Sequence, residues 1–214
     1  MKVAIVDYKL SNLFSVQHAC EYVGMTAEIT SSPEKVLNAD GVILPGVGAF
    51  ADAMKNLENF GLLEAIKTFI KSGKPFMGIC LGLQLLFSES EEFGTHRGLD
   101  IIPGKVIKFP LKNHQAQITK IPQIGWNSIN KPHSSPDIWD HTPLTEIKEG
   151  ELMYFVHSYY VLPEHNKHIL TLTTYDGTTY ASGILRENVV AFQFHPEKSG
   201  PDGVSIYRHW AKNI

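Results

Sequence analysis

A cysteine lies between two glycines in the segment KPFMGICLGLQLLF, residues 74–87. Cys80 is preceded by Gly78 and followed by Gly82, each two residues away, at the end of an apolar run. A cysteine that only packs in a core needs no such glycines, whereas one that projects from a crowded, strained turn does. The spacing is typical of a nucleophile elbow between a strand and a helix, where the helix N-terminus favours a thiolate. A buried cysteine in a glycine-rich turn explains the same residues, so this motif alone leaves both interpretations open.

The segment AFQFHPEKSG contains the partners that a nucleophilic cysteine requires. Only Pro196 separates His195 from Glu197, and an extended backbone directs both side chains to one side. A thiol nucleophile needs a base to take its proton, and the imidazole needs a carboxylate to fix its tautomer. Either residue alone is equally explained as an ordinary strand-end side chain. Together with the Cys80 motif they favour a Cys-His-Glu catalytic triad.

A third glycine-containing segment, ILPGVGAF at 43–50, lies at the end of a predicted strand and opens a helix. That position is at the carboxyl ends of the parallel strands, where ligand-binding sites form. Glycines there allow backbone N–H groups to point into a cleft. A turn that requires positive φ is the alternative. The segment lacks the G-x-G-x-x-G spacing, and the chain has no Walker-type lysine motif, so the sequence predicts no nucleotide site.

The elements that would position these residues alternate between strand and helix in the first ninety residues. Apolar runs predict strands, and helical spacing of apolar residues predicts helices. The predicted strands are 2–8, 27–30, 41–46 and 74–79, and the predicted helices are 11–24, 50–73 (kinked near Gly61) and 81–91. The second half predicts strands at 101–110, 150–161, 168–177, 179–189 and 190–196, then a closing helix at 203–214. This order favours one α/β domain over residues 1–214, with a central mixed, mostly parallel sheet flanked by helices.

Composition narrows the class of protein. The 214 residues carry a formal net charge of -3, which gives no basic bias for nucleic acid. The longest uncharged stretch, Pro75–Ser88, is shorter than the roughly 18 apolar residues of a membrane span. Two cysteines, Cys20 and Cys80, make no disulfide framework, and the N-terminus does not resemble a secretory signal. We therefore expect a cytoplasmic protein without nucleic-acid or membrane partners.

Two other kinds of site are disfavoured by the residues. In an α/β-hydrolase the acid precedes the histidine in chain order, whereas Glu197 follows His195. His165 and His168 have the spacing of one helical face, but their surroundings predict a turn and a strand, with no converging ligands. We expect no metal site, and an inactive binding module is disfavoured because all three triad residues are present.

The motifs MGICLGLQ and QFHPEKS, with LPGVGAF, IGWN and YFVHSYY, resemble those of the class I (triad) glutamine amidotransferases over nearly the whole chain. The resemblance implies a flavodoxin-like domain that hydrolyses glutamine to glutamate and ammonia without a cofactor. It implies Cys80 as nucleophile, His195 as proton carrier and Glu197 as the group that orients His195. It also implies oxyanion-hole N–H groups from Leu81 and Val47, and a glutamine-binding pocket formed by Gly46, Gln84, Glu92, Ser158 and Tyr159.

Within that family the chain is most similar to glutaminase subunits of histidine biosynthesis. The resemblance of this chain to those subunits implies a heterodimer with a (β/α)8-barrel cyclase, which uses the ammonia to make imidazole glycerol phosphate and AICAR. Asn12 matches a position near that partner interface. The family's first loop carries two glycines where this chain has Lys9 and Ser11. This departure keeps open an alternative, in which the same chemistry supplies ammonia to a sugar amidotransferase of surface polysaccharide synthesis.

Overall fold

The computed structural model describes residues 2–10, 13–112, 115–132 and 137–212. In these ranges, strands and helices alternate up to α5 and strands predominate after it. The strands are β1 Lys2–Val6, β2 Thr26–Thr30, β3 Gly41–Gly46, β4 Phe76–Cys80, β5 Phe87–Ser90, β6 His96–Arg97, β7 Ile102–Lys108, β8 Gln123–Ser128, β9 Leu152–His157, β10 Tyr159–Pro163, β11 Ile169–Tyr175, β12 Thr178–Arg186 and β13 Val189–Phe192. The helices are α1 Leu13–Tyr22, α2 Pro33–Leu37, α3 Phe50–Asn59, α4 Leu62–Lys71, α5 Leu81–Leu85 and α6 Gly200–Lys212.

One large mixed sheet organises the described residues. Its strand order is β2-β1-β3-β4-β13-β12-β10-β7-β5-β6, with β11 added beside β12. The pairs from β2 to β13 are parallel, whereas β13-β12, β12-β10 and β10-β7 are antiparallel. Strands β8 and β9 form a separate antiparallel ribbon. The predicted α/β fold with a central mixed sheet flanked by helices is confirmed.

Apolar side chains alternate along the central strands and so fill two cores. In β1, Ala4 and Val6 pack into one core while Val3 and Ile5 pack into the other. This is the two-residue period of a strand covered on both faces. Residues of α2, α3, α4 and α5 bury the first core, and residues of α1, α6 and β9 bury the second. The helix predicted at 50–73 is two helices, because Gly61 takes φ +67 between α3 and α4.

The segment after Cys80 differs from the sequence-based prediction. A helix was expected over 81–91, but α5 ends at Leu85 and Phe87–Ser90 form strand β5. The backbone of β5 finds hydrogen-bond partners in β6 and β7, which lie close in space although β7 begins more than ten residues later. The apolar run Leu81–Phe87 fits either element by pattern alone, so long-range pairing decided between them. The strand expected over 150–161 is likewise interrupted, at Ser158.

The predicted site residues follow the carboxyl ends of parallel strands. Gly46 ends β3, Cys80 ends β4, and His195 lies three residues after β13. These strands are neighbours in the order β3-β4-β13, so the segments that follow them meet at one edge of the sheet. That edge is where ligands bind in open α/β sheets. Among the described helices, none combines the length and the apolar character needed to cross a membrane.

The turn between β4 and α5 requires a glycine on its helical side. A β-carbon on Gly82 would lie 1.7 Å from the carbonyl oxygen of Leu44, in the neighbouring strand β3. A β-carbon on Gly78 would meet the side chain of Ala191 at 3.0 Å, a milder conflict. The close approach of α5 to β3 therefore depends on Gly82 more than on Gly78.

We predict that Gly82→Ala lowers the free energy of unfolding by about 3 kcal/mol, because the methyl group forces two backbone segments apart. Gly78→Ala is the matched comparison and is expected to be less destabilising. Urea unfolding of both variants, followed by tryptophan fluorescence, measures the difference. Equal unfolding midpoints for the two variants would contradict this account of the turn.

Candidate active site

The backbone of Cys80 is strained. Its φ is +55° and its ψ is -109°, outside the regions that non-glycine residues normally occupy. Such conformations cost about 1–3 kcal/mol and persist where the surrounding structure imposes them. Cys80 ends β4 and the next residue, Leu81, begins α5. The turn therefore holds the thiol at the edge of the sheet, where its Sγ donates to the carbonyl of Val156 at 3.8 Å.

His195 and Glu197 form a buried pair. The Nδ1 of His195 lies 2.7 Å from Oε1 of Glu197, and the two side chains are 4% and 2% exposed. Glu197 lies in a 3-10 turn, Pro196–Lys198, which directs its carboxylate back to the imidazole. The hydroxyl of Ser199 donates to the carbonyl of His195 at 2.7 Å and accepts from the N–H of Tyr154 at 3.0 Å. The turn that carries the pair is thus tied to strand β9.

The imidazole of His195 has one ring nitrogen without a hydrogen bond in the described part of the chain. Its Nε2 is buried and has no hydrogen-bond partner among the described residues. Burial by itself lowers the pKa of His195, but the charge of Cys80 and the carboxylate of Glu197 outweigh it and raise the pKa to about 10. A protonated imidazole beside a sulfur favours a thiolate, the reactive form of cysteine.

Gln193 is a polar neighbour of Cys80 that the sequence analysis did not identify. Its Nε2 donates to Sγ of Cys80 at 3.7 Å, and its side chain is fully buried. Nε2 of Gln84 donates to Oε1 of Gln193 at 3.1 Å and to the carbonyl of Tyr159 at 3.0 Å. These contacts fix which end of the Gln193 amide faces the sulfur. The alternation of side chains along an extended segment could have identified Gln193, because it lies two residues before His195 and faces the same side of the chain.

A cavity of about 280 Å³ opens in front of Cys80. The predicted residues Val47, Leu81, Gln84, Glu92, Ser158 and Tyr159 all line it, and so do four residues that were not predicted, Gly48, Pro122, Val156 and His157. A larger cavity of about 760 Å³ lies at the opposite end of the strands and is lined by none of the predicted residues. In the described ranges, no group of three or more histidine, cysteine or acidic side chains is arranged to hold a metal ion.

Glu92 supplies the negative charge of the cavity wall. Its Oε2 accepts a hydrogen bond of 2.6 Å from the N–H of Phe50, the first residue of α3. Its own N–H is held by the hydroxyl of Ser90 at 3.2 Å. A carboxylate fixed in this way at a helix N-terminus keeps its orientation. The cavity can therefore receive a small molecule with a positive group at one end.

The wall formed by His157 is held by buried polar groups. Nδ1 of His157 lies 2.9 Å from the carbonyl of Tyr159, and Nε2 lies 3.1 Å from the hydroxyl of Tyr180. A carbonyl only accepts, so the proton resides on Nδ1, and the unprotonated Nε2 lies beside the Tyr180 oxygen. The Tyr180 hydroxyl donates to Oε1 of Gln123 in β8 at 3.0 Å. Burial lowers the pKa of His157 to about 4, so the ring is neutral at neutral pH.

One of the two predicted oxyanion donors is already occupied. The N–H of Leu81 begins α5, where helix geometry leaves it without a partner in the helix. The N–H of Val47, however, donates to the carbonyl of Leu10 at 2.8 Å. Gly46, predicted to line the pocket, lies instead against the ring of Tyr8 and the side chain of Leu81. The peptide between Gly46 and Val47 must rotate before the Val47 N–H can face the cavity.

The segment between β1 and α1 has an unusual backbone at Lys9. Its φ is +69°, a conformation that glycine adopts without strain. Two contacts with Asp7 hold it, from the Lys9 N–H to Oδ1 at 2.9 Å and from Nζ to Oδ2 at 2.7 Å. The lysine thus keeps a glycine-like turn and orders the segment. Asn12, the predicted partner-interface residue, lies outside the described residues.

Comparison with known proteins shows similarity over the whole chain. The family model described as glutamine amidotransferase class-I matches residues 4–213. The imidazole glycerol phosphate synthase subunit HisH 1 of Legionella pneumophila (strain Paris) is 46% identical over 208 residues, 97% of each chain. The corresponding HisH subunit of Aquifex aeolicus (strain VF5) is 47% identical over 213 residues, 99% of this chain and 97% of the relative.

A solved structure described as PurLQS from Thermotoga maritima is similar in fold. Its TM-score is 0.70, and the match covers 99% of this chain and 97% of the solved chain. The sequence identity is 20%, so this likeness concerns the fold alone.

We predict that Gln193→Met slows alkylation of Cys80 by iodoacetamide about five-fold at neutral pH. Methionine fills a similar volume but cannot donate to the thiolate, and such a donor stabilises it by about 1 kcal/mol. Cys20 does not interfere, because burial raises its pKa to about 12. Gln17→Met is the matched control, since the Gln17 amide donates to the carbonyl of Ala27 instead. An unchanged alkylation rate in Gln193→Met would show that the amide does not act on the sulfur.

We predict a loss of stability in acid that originates at His157. Its pKa in the folded chain, about 4, is below the ordinary 6.5, so only the unfolded chain binds this proton between those values. The stability that the neutral ring contributes is present above pH 6.5 and is lost as the pH falls toward 4, by at most about 3 kcal/mol. Urea unfolding at several pH values should show a shallower acid loss in His157→Gln. Identical pH dependence in the two proteins would contradict the assignment.

Proposed function

The chain belongs to the class-I glutamine amidotransferase family of enzymes, and on that premise we propose that it is the glutaminase subunit of an imidazole glycerol phosphate synthase. It hydrolyses glutamine to glutamate and ammonia, and a cyclase partner uses the ammonia in histidine biosynthesis. The observation that carries the proposal is the strained Cys80 facing a cavity walled by Glu92, with the His195–Glu197 pair buried behind it.

In the first half of the reaction, the thiolate of Cys80 attacks the side-chain carboxamide carbon of glutamine. The carbon–sulfur bond forms as the carbonyl electron pair moves to oxygen, giving an oxyanion near the N–H of Leu81. The protonated imidazole of His195 then donates its proton to the amide nitrogen. The carbon–nitrogen bond breaks, ammonia leaves, and a γ-glutamyl thioester remains on Cys80.

In the second half, His195 is neutral and acts as a base. It takes a proton from a water molecule, which attacks the thioester carbon through a second oxyanion. Collapse of this intermediate releases glutamate and returns the thiolate of Cys80 beside a protonated His195. Glu197 keeps Nδ1 protonated throughout, so the Nε2 of His195 is the atom that exchanges protons with the reacting groups.

The cavity suits the α-amino end of glutamine. Glu92 places a carboxylate oxygen on the wall, and an ammonium group is its natural partner. Ser158 and Tyr159 also line the cavity, at the break between β9 and β10. Gln84 supports that part of the wall, because its amide holds the carbonyl of Tyr159 at 3.0 Å. A glutamine bound in this cavity would direct its side chain to Cys80.

The edge of the sheet around the cavity offers a surface for a partner. Ile124 and Trp126 of β8 are 60% and 55% exposed, and Val47 is also exposed at the cavity mouth. Phe14, at the start of α1 on the same edge, is exposed as well. Exposed apolar side chains around a site mark a protein–protein interface. A (β/α)8-barrel cyclase seated there would receive ammonia directly, before water protonates it to unreactive ammonium.

The hydrogen bond from Val47 to Leu10 predicts that the isolated chain is slow. With that N–H occupied, the oxyanion has the Leu81 donor but lacks the second one. Losing one such donor lowers turnover by about a hundred-fold or more in a related arrangement. We therefore expect the cyclase with its nucleotide ligand to raise the rate of glutamine hydrolysis by favouring the rotated peptide.

The decisive test is glutamate release from glutamine, by the purified chain alone and with the same organism's histidine-pathway cyclase and its nucleotide ligand. We predict strong stimulation by the cyclase and no activity in Cys80→Ala. Cys20→Ala is the matched control, because Cys20 is buried in the second core and should be dispensable for turnover.

The outcomes separate chemistry from pathway. Activity retained in Cys80→Ala would overturn the mechanism. Slow turnover that requires Cys80 but ignores the cyclase would leave the glutaminase assignment standing and contradict the proposed partner. A sugar amidotransferase would then be the next acceptor to test.

A further inference from the structure

The hydroxyl of Tyr8 is a buried donor that has nothing to bond. Tyr8 is fully buried, and its hydroxyl has no hydrogen-bond partner among the described residues. Burial raises its pKa above the ordinary value, so the hydroxyl keeps its proton. The residue is also fixed in place, because its carbonyl accepts from the side-chain amide of Asn56 at 3.0 Å. Native proteins leave few buried polar groups unpaired, and each one calls for an explanation.

The Tyr8 hydroxyl lies directly against Gly46. A β-carbon on Gly46 would be 1.9 Å from the hydroxyl oxygen and 3.2 Å from Cζ of the same ring. Only the absence of a side chain at Gly46 permits this approach. The hydroxyl is therefore adjacent to the peptide that joins Gly46 to Val47, the peptide whose N–H is the second candidate oxyanion donor.

Rotation of that peptide moves two groups at once. The N–H and C=O of a trans peptide point in opposite directions. The Val47 N–H now points to Leu10, in the segment that also carries Tyr8, so the Gly46 carbonyl points away from that segment. Turning the N–H toward Cys80 breaks the bond to Leu10 and swings the Gly46 carbonyl toward the Tyr8 side. A buried carbonyl arriving there needs a donor.

We propose that the Tyr8 hydroxyl donates to the Gly46 carbonyl when this peptide rotates, which makes Tyr8 a positioning residue for the oxyanion hole. The inference rests on the proposed glutaminase function, since it concerns the donor set of that reaction. The unpaired hydroxyl in the present structure corresponds to the unrotated peptide. Tyr8 touches neither glutamine nor Cys80 in this role and acts through the peptide alone.

Rotation of the peptide exchanges its hydrogen-bond partners. The unrotated peptide has the Val47–Leu10 bond and an unpaired Tyr8 hydroxyl. The rotated peptide gains the Tyr8–Gly46 bond and releases the carbonyl of Leu10, a half-buried residue that water can reach. A substrate or partner that favours the rotated peptide therefore shifts the population toward it.

Tyr8→Phe tests the role, because it keeps the ring and removes the hydroxyl. We expect kcat for glutamine hydrolysis by the isolated chain to fall about ten-fold with KM unchanged, which corresponds to about 1.4 kcal/mol. The isolated chain is the form to test, because only a small fraction of its molecules would have the rotated peptide. The rate of hydrolysis is then proportional to that fraction, so a change in the fraction is measurable. Tyr22→Phe, which removes an exposed hydroxyl from α1, is the control and should leave kcat unchanged.

Two further measurements separate this role from simple packing. Thermal unfolding of Tyr8→Phe should occur at the same or a higher temperature than in the wild type, because an unpaired buried hydroxyl is removed. Alkylation of Cys80 by iodoacetamide should keep its wild-type rate, since that reaction forms no oxyanion. A lower unfolding temperature, or slower alkylation, would mean that Tyr8 supports the fold or the thiolate, and would overturn the proposal.

These experiments distinguish a failure of the Tyr8 proposal from a failure of the proposed glutaminase function. If the wild type releases glutamate through Cys80 and Tyr8→Phe has the same kcat, the role of Tyr8 is overturned while the glutaminase stands. If the wild type releases no glutamate alone or with the cyclase, both are overturned. A ten-fold loss of kcat with unchanged KM, alkylation and stability supports the positioning role.

Discussion

The site depends on the strained turn that ends β4 at Cys80. Cys80 has a positive φ, and the helix α5 that follows it approaches β3 so closely that Gly82 has no room for a side chain beside Leu44. The turn places the thiol at the edge of the sheet and starts a helix at the next residue, so the proposed nucleophile and oxyanion donor come from adjacent residues. The strain is borne by two packed cores, in which apolar residues of the central strands are almost entirely buried.

Around this turn, buried polar groups are held by hydrogen bonds from distant elements. His195 is oriented by Glu197, and Ser199 ties their turn to β9, which also supplies the carbonyl that receives the Cys80 thiol. The N–H of Val47, in contrast, donates to the carbonyl of Leu10 and faces away from Cys80. In the proposed mechanism, a fixed nucleophile is combined with an oxyanion donor that becomes available only when this peptide rotates.

Much of the fold could be predicted from the sequence because the central strands and long helices have strong local patterns. Runs such as 41–46 are apolar on both faces, and Gly61 separates two amphipathic helices. The prediction failed where local pattern is ambiguous and distant pairing decides. Leu81–Phe87 is apolar throughout, so its division into α5 and the start of β5 depends on hydrogen bonds with β6 and β7. Of the ribbon β8–β9, only β9 was predicted, because β8 is likewise defined by pairing with a strand distant in the chain.

The sequence by itself was enough to predict the chemistry proposed for the candidate site, since Cys80, His195 and Glu197 lie in short motifs whose backbone geometry is local. Only the tertiary structure decided what surrounds them. The contact of Gln193 with Cys80 joins residues 113 positions apart, and the bond from Val47 to Leu10 engages a donor that the motif suggested was free. The physical reason is that a motif specifies residue types and local dihedral angles. The partner of each buried donor is set by packing between segments far apart in the chain.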